Sequence, residues 1–477
     1  MNKRIRLAVF LIAGIVCMGL VLFFLTRDRQ AQAGGQSISE KTAEPLEYIY
    51  NIGGADAIKS ITVRNSYGEY TMTAGHSPSF AGYEDFPISD FYKLHFIDVA
   101  SRLESAGFVT DEEENLSIFG LAPPAASLGI MTDNGQDFTL DIGYIAADNN
   151  MYVKRGGSAG VYLAYYFDVS VFLYSIYDLV DTGITPNAQK DKDDILIFDK
   201  IILGGSAREE IVIVKNDSYG HLMNLNLSPY RIIAPLNVSV SMEHEDVYES
   251  LFGMYAGRFT AKVSDNINTR LSELDSYGLL RPWSTLELIV GGISYRVLFS
   301  KPDANGLVYI YREGTPFVYE SSASAFPWLE VTHFELMDKM VILPFIDSVS
   351  SVEIKNAGRT VTFSITGEQN RLAVKSGDTV IDTGNFRVFY QNLVTARYDE
   401  YNDVPVNTLT SPFLEIVYHY RDGTKAADTV SFYETAQRRV LTSLNKGRAH
   451  FTYSVYTDQL LSDLQRILSG ERVRSFL

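Results

Sequence analysis

The stretch "SIFGLAPPAASLGI", residues 117–130, decides how the chain is organised, because a second copy of it follows later. "SYGLLRPWSTLEL", residues 276–288, matches it without a gap, 158 positions further on. The matched residues are Gly120, Leu121 and Pro124 in the first copy and Gly278, Leu279 and Pro282 in the second. Glycine suits a tight backbone turn, leucine a core position, and proline the end of a helix. The motif therefore predicts architecture and not chemistry.

Two further signals extend this repeat along the chain. "MYVKRGGSAGVY" (151–162) aligns with "VYIYREGTPFVY" (308–319) at an offset of 157 residues, nearly that of the Gly-Leu motif. At three places an alternating apolar run ends in an asparagine and a glycine turn, a pattern that predicts a β-hairpin because both residues tolerate positive φ. These asparagines are Asn65, Asn216 and Asn356. The sequence therefore predicts three copies of one unit.

Each copy also contains one run whose apolar residues have helical spacing. In the first copy Ser89 is a candidate N-cap and Gly107 a candidate stop. The apolar positions are Tyr92, Phe96, Val99, Ala100 and Leu103 in the first copy, Val247, Leu251 and Met254 in the second, and Phe386, Phe389 and Leu393 in the third. A last amphipathic helix, stopped by a glycine, is indicated by Leu460, Leu461, Leu464, Ile467, Leu468 and Gly470.

These patterns predict an α+β fold class, because strand runs alternate with single helices and regular parallel crossovers are missing. We expect about three repeated units of mainly antiparallel sheet, each with one packed helix. The predicted units are residues 56–187, 195–345 and 346–477, and the polar run at 187–194 marks the first boundary. The third unit has diverged, since it has no Gly-Leu pair.

The N-terminal region predicts a membrane anchor. From Leu7 to Leu25 there are 19 uncharged, mostly apolar residues, and a helix of that length is about 28 Å long, close to the thickness of the hydrocarbon core. Three cations precede the run, so the positive-inside rule favours a cytoplasmic N-terminus. We expect a single-pass cell-membrane protein with a cytoplasmic stub and transmembrane helix over 1–26, a tether over 27–55, an extracytoplasmic body, and the lipid bilayer as one partner. Cleavage at a signal-peptidase-like site, Ala31–Ala33, is the alternative.

Composition excludes several classes of function. The chain has 477 residues and a formal net charge of −17, which would repel the phosphates of a nucleic acid. Its one cysteine, Cys17, lies in the apolar N-terminal run, so the rest of the chain has neither disulfides nor cysteine ligands. The seven histidines are scattered singly, and no phosphate-binding or dinucleotide motif is complete. We therefore predict no metal site, no cofactor and no nucleic-acid partner.

Gly156–Gly160 fits the G-x-S-x-G pattern of a hydrolase nucleophile elbow, with Ser158 in the place of the nucleophile. That elbow requires a sharp turn between a strand and a helix, whereas both flanks of Ser158 are strand-like. In the second copy Ser158 aligns with Thr315, so the motif is lost and the turn is kept. The pattern predicts a hairpin turn, no catalytic residue and no enzymatic activity; a serine hydrolase is the less favoured alternative.

Aromatic residues are abundant, with 30 tyrosines and 27 phenylalanines. The richest segment is "VYLAYYFDVSVFLYSIYDL", residues 161–179, which is consistent with a stacking platform for sugars or a docking face for a protein. Half-buried strands and helix faces explain most such aromatics without a ligand. His95 is predicted to lie on the surface of the first helix.

"FGLAPP" (119–124), "YGLLRP" (277–282) and "LDIG" (140–143) resemble a bacterial family of unknown function. Members of that family are membrane-anchored and are typically encoded beside gliding-motility-type ABC transporter genes. The resemblance covers most of residues 56–345 and, more faintly, the third copy. The family offers no catalytic residues to carry over, so Gly120, Leu121, Pro124 and their counterparts remain structural candidates.

The resemblance implies an auxiliary protein that works with an ABC transporter permease and a related membrane-anchored subunit. We therefore predict a non-enzymatic, membrane-anchored, extracytoplasmic accessory component of an ABC-type transport system, which acts by binding a protein or a substrate. An independent cell-surface module that binds polysaccharide or peptidoglycan is the alternative.

Overall fold

The computed structural model describes residues 47–112, 114–217, 228–421, 423, 427–435 and 438–476. Strand residues outnumber helical residues, 40% to 22%, and the strands form antiparallel sheets. The α+β fold class predicted from the sequence is therefore wrong, because β-sheet dominates. The helical spacing was real, but most of the helices are short, whereas each large sheet has eight or nine strands.

The chain divides into two compact units. The first comprises the described residues up to Glu84 together with Phe91–Leu173, and the second comprises Asp85–Asp90 with the described residues from Tyr174 onward. The sequence predicts three units, 56–187, 195–345 and 346–477. That division is not tested by the two compact units and stays a prediction.

The first unit contains an eight-stranded sheet and a two-stranded ribbon. Its strands are β1 (Tyr48–Asn51), β2 (Ile58–Asn65), β3 (Gly68–Thr73), β4 (Ser79–Phe80), β5 (Arg102–Glu104), β6 (Gly107–Thr110), β7 (Ala126–Thr132), β8 (Phe138–Ile145), β9 (Met151–Arg155) and β10 (Val161–Ala164). The ribbon pairs β1 with β5, and the large sheet has the order β4-β3-β2-β7-β8-β9-β10-β6. The helices in this part of the chain are α1 (Asp90–Ser101) and α2 (Tyr166–Val169).

The second unit contains two nine-stranded sheets. The strands of the first are β11 (Lys200–Gly204), β12 (Ile211–Lys215), β13 (Tyr230–Ala234), β14 (Val238–Ser239), β15 (Arg258–Lys262), β16 (Ser284–Val290), β17 (Ile293–Phe299), β18 (Leu307–Arg312) and β19 (Phe317–Ser322). Their order is β14-β13-β12-β11-β16-β17-β18-β19-β15. The helices are α3 (Glu245–Glu249), α4 (Ile267–Ser276) and α5 (His333–Leu336).

The last sheet follows the same plan. Its strands are β20 (Val349–Asn356), β21 (Arg359–Thr366), β22 (Ala373–Ser376), β23 (Thr379–Ile381), β24 (Glu400–Pro405), β25 (Leu414–Tyr420), β26 (Asp428–Glu434), β27 (Arg439–Leu444) and β28 (Arg448–Tyr453). Their order is β23-β22-β21-β20-β25-β26-β27-β28-β24. The helices are α6 (Thr383–Val394) and α7 (Ser454–Leu468).

The three large sheets share one strand order, except that the first sheet has one strand fewer on the side of the opening hairpin. The opening strand, β2, β11 or β20, pairs with the next strand on one side and with β7, β16 or β25 on the other. In each sheet the strand that follows the helix α1, α3 or α6 lies at the far edge. These edge strands pair as β6 with β10, β15 with β19, and β24 with β28. In each sheet the helical connection therefore carries the chain from one edge to the other.

One face of each sheet is packed and the other is more open. On β7, Leu128 and Ile130 are buried, whereas Met131 is exposed, as the period of two in a strand requires. In the third sheet α6 covers Phe363 of β21, whose ring lies 5.3 Å from Phe386 and 5.5 Å from Phe389, centroid to centroid. The buried face of α6 is thus the one that carries the predicted apolar residues.

Two of the predicted helices differ from those in the structure. α1 ends at Ser101, before the predicted stop at Gly107, because the next residues form β5 and pair with β1; Leu103 is buried in that strand. α3 is only five residues long, so Leu251 and Met254 are buried beyond its end. In both places pairing and packing with distant residues override the helical spacing.

The predicted anchor, Leu7–Leu25, lies outside the described residues. In the part of the chain that is described, no helix is both long enough and apolar enough to cross a membrane. The longest described helix, α7, has 15 residues, whereas a span needs about 20. The predictions of a transmembrane helix, a single-pass topology and a cell-membrane location are corrected accordingly, since the described chain gives them no support.

Candidate functional site

The Gly-Leu motif forms a helix C-cap in both copies. Gly120 has φ 68° and Gly278 has φ 70°, the left-handed conformation in which glycine avoids the strain of a side chain. Gly120 N donates to Ser117 O, and Leu121 N to Leu116 O, at 3.1 and 3.0 Å. This pair of bonds is the Schellman motif, which satisfies carbonyl groups at the end of a helix.

The second copy repeats these bonds at the end of α4. Gly278 N donates to Asp275 O and Leu279 N to Leu274 O, both at 2.9 Å. Leu274 and Leu279 lie in one buried apolar cluster, which is the contact that usually accompanies this cap. The glycine and the leucine of each copy therefore form a separate turn, one per copy, and each turn shapes the backbone.

The prolines of the motif lie just beyond these turns. Pro124 forms an isolated bridge with Leu121, which is 5% exposed. Pro282 O accepts hydrogen bonds from Ser206 N and Ser206 Oγ, both at 3.2 Å. In both copies the proline belongs to the short connection that enters the following strand.

Ser158 lies in the loop that joins β9 to β10 in an antiparallel hairpin. Its backbone N donates to Arg155 O at 3.1 Å, and Lys154 Nζ donates to its carbonyl oxygen. A nucleophile elbow needs a helix directly after the serine, but here a strand follows. The geometry at Ser158 is thus that of a loop.

Within the described ranges no group of three or more His, Cys, Asp or Glu is arranged to hold a metal ion. The predictions of no metal, no cofactor and no enzymatic activity stay predictions.

Lys339 is a half-buried cation in the second unit. Its Nζ lies 3.7 Å from the centroid of the Phe334 ring and has no hydrogen-bond partner among the described residues. Burial lowers the pKa of Lys339 to about 8, and Arg397 adds to the shift while Glu335, Asp338 and Glu243 oppose it. The ring attracts the ammonium group, but the folded chain still binds this proton less tightly than an exposed lysine would.

We expect Lys339→Met to raise the free energy of unfolding at pH 7 by about 1 kcal/mol, a value discounted for the solvent around a half-buried group. The folded pKa is about 8 and the ordinary value 10.5, so between these pH values the unfolded chain holds more protons and wild-type stability rises with pH. Urea unfolding at pH 7, 8, 9 and 10 measures this rise, which the variant should lose. Lys301→Met removes an exposed lysine of the same unit and is the control. A variant with the wild-type pH profile would contradict the assignment.

Three exposed apolar side chains surround a half-buried histidine on the first unit. We call this cluster the aromatic patch and define it as Phe91, Leu94, His95 and Phe167. Phe91, Leu94 and Phe167 are 56%, 65% and 66% exposed. Tyr165 and Tyr166, next to Phe167 in the sequence, are also exposed. Single exposed apolar residues are ordinary, but several in one cluster are typical of a binding surface.

Secondary structure explains why these side chains face outward. Phe91, Leu94 and His95 occupy positions i, i+3 and i+4 of α1 and so share one face of the helix. The opposite face packs on the core, where the Phe96 ring lies 5.7 Å from Phe80 and 4.6 Å from Phe172. Since the inner face anchors α1, the patch is presented on a fixed element.

The rings of the patch contact one another. The His95 ring is stacked on Phe91 with centroids 5.9 Å apart and packs edge-on against Phe167 at 5.2 Å. Phe91 and Phe167 are 6.3 Å apart. His95 thus joins the residues of the helix to those of the segment that contains α2.

A polar contact fixes the position of His95. Its Nε2 lies 3.0 Å from Asp168 O. Burial raises the pKa of the Asp168 carboxyl, and His95 partly offsets that shift. The patch therefore offers ring faces and aliphatic surface, with the Nε2 atom of His95 already engaged.

The sequence pointed to only half of this cluster. The aromatic run 161–179 includes Phe167, and His95 was placed on the helix surface. Phe91 and Leu94 were missed, although their i, i+3, i+4 relation to His95 is a signal that sequence reading could have used.

Comparisons of the chain with protein-family models, with curated proteins and with solved structures gave no match. The family resemblance stays a prediction.

Proposed function

We propose that this protein is a non-enzymatic accessory component of an ABC-type transport system and that the aromatic patch binds a protein partner, such as a permease or a related subunit. The cluster of exposed rings around His95 carries the protein-binding part of the proposal. The link to a transport system rests on the family resemblance of residues 119–124, 140–143 and 277–282. Aromatic residues are enriched in the centres of protein interfaces, where they bury large areas at a low cost in side-chain entropy.

The chemistry of the patch favours a protein over a sugar. A site that orients a sugar needs polar groups placed beside the rings, whereas Phe91, Leu94 and Phe167 have none. The Nε2 atom of His95 lies 3.0 Å from the carbonyl oxygen of Asp168 and is therefore already engaged within the chain. Polysaccharide or peptidoglycan binding therefore has weaker support.

The double substitution Phe91→Ser and Phe167→Ser tests the proposal. Recovery of transporter subunits with the tagged protein, after mild crosslinking of cells, should fall at least about tenfold relative to wild type, since central aromatic residues of an interface contribute that much or more. Circular dichroism verifies the fold of the variant. The amounts of permease and ATPase recovered are measured by mass spectrometry.

Phe108→Ser is the matched control, because Phe108 is a 55% exposed phenylalanine on β6 in the same unit and lies outside the patch. Its recovery should equal that of wild type. The proposal fails if wild type recovers no transporter subunit or if the patch variant recovers as much as wild type. Loss of cell-wall retention in the patch variant, with transporter recovery unchanged, would support the polysaccharide alternative instead.

A further inference from the structure

The segment Glu471–Phe476 lies against α6 and is held there through its backbone. Asn385 Nδ2 donates to Glu471 O at 2.8 Å, and Asn385 Oδ1 accepts from Val473 N at 2.8 Å. One asparagine side chain therefore satisfies both a carbonyl and an amide of the segment, two residues apart.

A second asparagine repeats this pattern two helical turns later. Asn392 Nδ2 donates to Arg474 O at 2.7 Å, and Asn392 Oδ1 accepts from Phe476 N at 3.1 Å. A shift of seven residues along α6 thus corresponds to a shift of three along the segment. Seven helical residues rise about 10.5 Å, and three residues of polyproline II advance about 9.3 Å. The two repeats therefore stay in register, with the segment running in the direction of α6.

The side chains of the segment follow the same three-residue repeat. Val473 is 3% exposed and Phe476 is half-buried; the Phe476 ring lies 6.0 Å from that of Tyr456 on α7, edge to face. Arg472, Arg474 and Ser475, in contrast, are exposed. Polyproline II has three residues per turn, so positions i and i+3 share a face. The surface between α6 and α7 thus accepts an apolar side chain followed three positions later by an aromatic one.

Asn392, at the centre of this surface, is held in place by a hydrogen bond to α7. Asn392 is 1% exposed, and its Nδ2 also donates to Asp463 Oδ2 of α7 at 3.0 Å. Gln459 Nε2 donates to the other carboxylate oxygen of Asp463 at 3.2 Å. These bonds fix the amide of Asn392 so that its oxygen and its second N–H face the segment.

A single turn connects the segment to α7. Gly470 has φ 78°, and Glu471 N donates to Arg466 O at 2.8 Å in another Schellman cap. The contacts of the segment are to its backbone and to two apolar side chains, and the same contacts would form with the segment of another chain. Exchange of an identical element about such a turn is a low-cost route to a dimer.

We propose that α6 and α7 form a groove that binds polyproline II-type peptide through Asn385 and Asn392, and that copies of this chain exchange the segment 471–476 between their grooves. The occupant of the groove in trans is therefore the same segment of a second copy.

The first test uses the full chain with Val473→Asp and Phe476→Asp, which weakens the segment and leaves the groove intact. A fluorescent peptide of residues 470–476 should bind this variant, as measured by anisotropy. The same peptide with N-methyl groups on Val473 and Phe476 lacks the two amide protons that the asparagines accept, and it should bind at least about tenfold more weakly. Absence of binding, or equal binding of the two peptides, would overturn the groove.

The second test concerns exchange. A chain with Asn385→Leu has a weakened groove and an intact segment, so mixing it with the Val473→Asp, Phe476→Asp chain should give a 1:1 dimer in native mass spectrometry. Neither variant alone should dimerise to the same extent. Peptide binding without a mixed dimer would overturn exchange between copies. Both tests are independent of the aromatic patch.

Discussion

Arg208→Met is expected to lower the free energy of unfolding of the second unit by about 3–5 kcal/mol. The guanidinium donates from Nη1 to Trp328 O and Val331 O at 2.7 and 3.0 Å, and from Nη2 to Leu329 O and to Ser284 Oγ. Burial lowers the pKa of Arg208 to about 10. Methionine keeps much of the volume but leaves these acceptors without their donor, and unpaired buried polar groups are costly.

Tryptophan fluorescence during urea unfolding measures this effect, because both tryptophans, Trp283 and Trp328, belong to the second unit. Arg296→Met is the matched control: Arg296 is exposed and pairs with Glu313 at 3.5 Å, so its loss should cost less than about 1 kcal/mol. If the two variants unfold at the same urea concentration, Arg208 does not hold the segment 328–331 as described.

Gly143→Ala is expected to destabilise the first unit by about 3 kcal/mol. Gly143 lies on β8, where the register with β9 shifts between Ile142 and Ile145. A Cβ atom at this position would lie 2.1 Å from the backbone oxygen of Phe119 and 3.2 Å from Leu121 Cγ. The Gly-Leu turn rests directly against this strand, and a backbone atom cannot rotate out of the way as a side chain would.

Gly129→Ala is the control for that prediction. Gly129 lies on the neighbouring strand β7, and its nearest atom would be Thr62 Cβ at 3.8 Å, an ordinary contact. The change should therefore be tolerated, and alanine even gains slightly over glycine in a strand. Hydrogen exchange of peptides from 126–145, resolved by mass spectrometry, compares the two variants. Equal protection in both would contradict the close packing of the turn on β8.

Features set by neighbouring residues could be predicted from the sequence. The first hairpin pairs Asn65 with Gly68, close to the position that the asparagine and the following glycine predicted. The reason for the asparagines differs from the predicted one, since glycine takes the positive φ. The asparagine side chains make hydrogen bonds instead: Asn65 Nδ2 donates to Phe172 O at 2.9 Å and Asn356 Nδ2 to Phe413 O at 3.0 Å.

The balance of strand and helix could not be predicted, because it depends on distant partners. β15 has no regular alternation of burial, and it is a strand because it pairs with β19, more than fifty residues later in the chain. β6 and β24 likewise complete the edges of their sheets by pairing with strands that come later in the chain, β10 and β28. Such edge strands have only a weak pattern in the sequence, because their pairing depends on distant residues. The amount of sheet was therefore underestimated from the sequence.

The aromatic patch shows the same division between local and distant information. An aromatic run around Phe167 is visible in the sequence, but its meeting with Phe91 depends on the fold, which brings α1 beside the segment that contains α2. Likewise, the spacing of Asn385 and Asn392 is plain in the sequence, whereas their common partner lies about eighty residues further on.

Site-specific photocrosslinking tests most directly whether the aromatic patch contacts a transport partner. A photoreactive phenylalanine analogue at position 94, in place of the 65% exposed Leu94, should crosslink in cells to a permease or a related transporter subunit. The same analogue at position 108, an exposed site outside the patch, should not. Equal crosslinking from the two positions, or no transporter subunit crosslinked from position 94, would contradict the account.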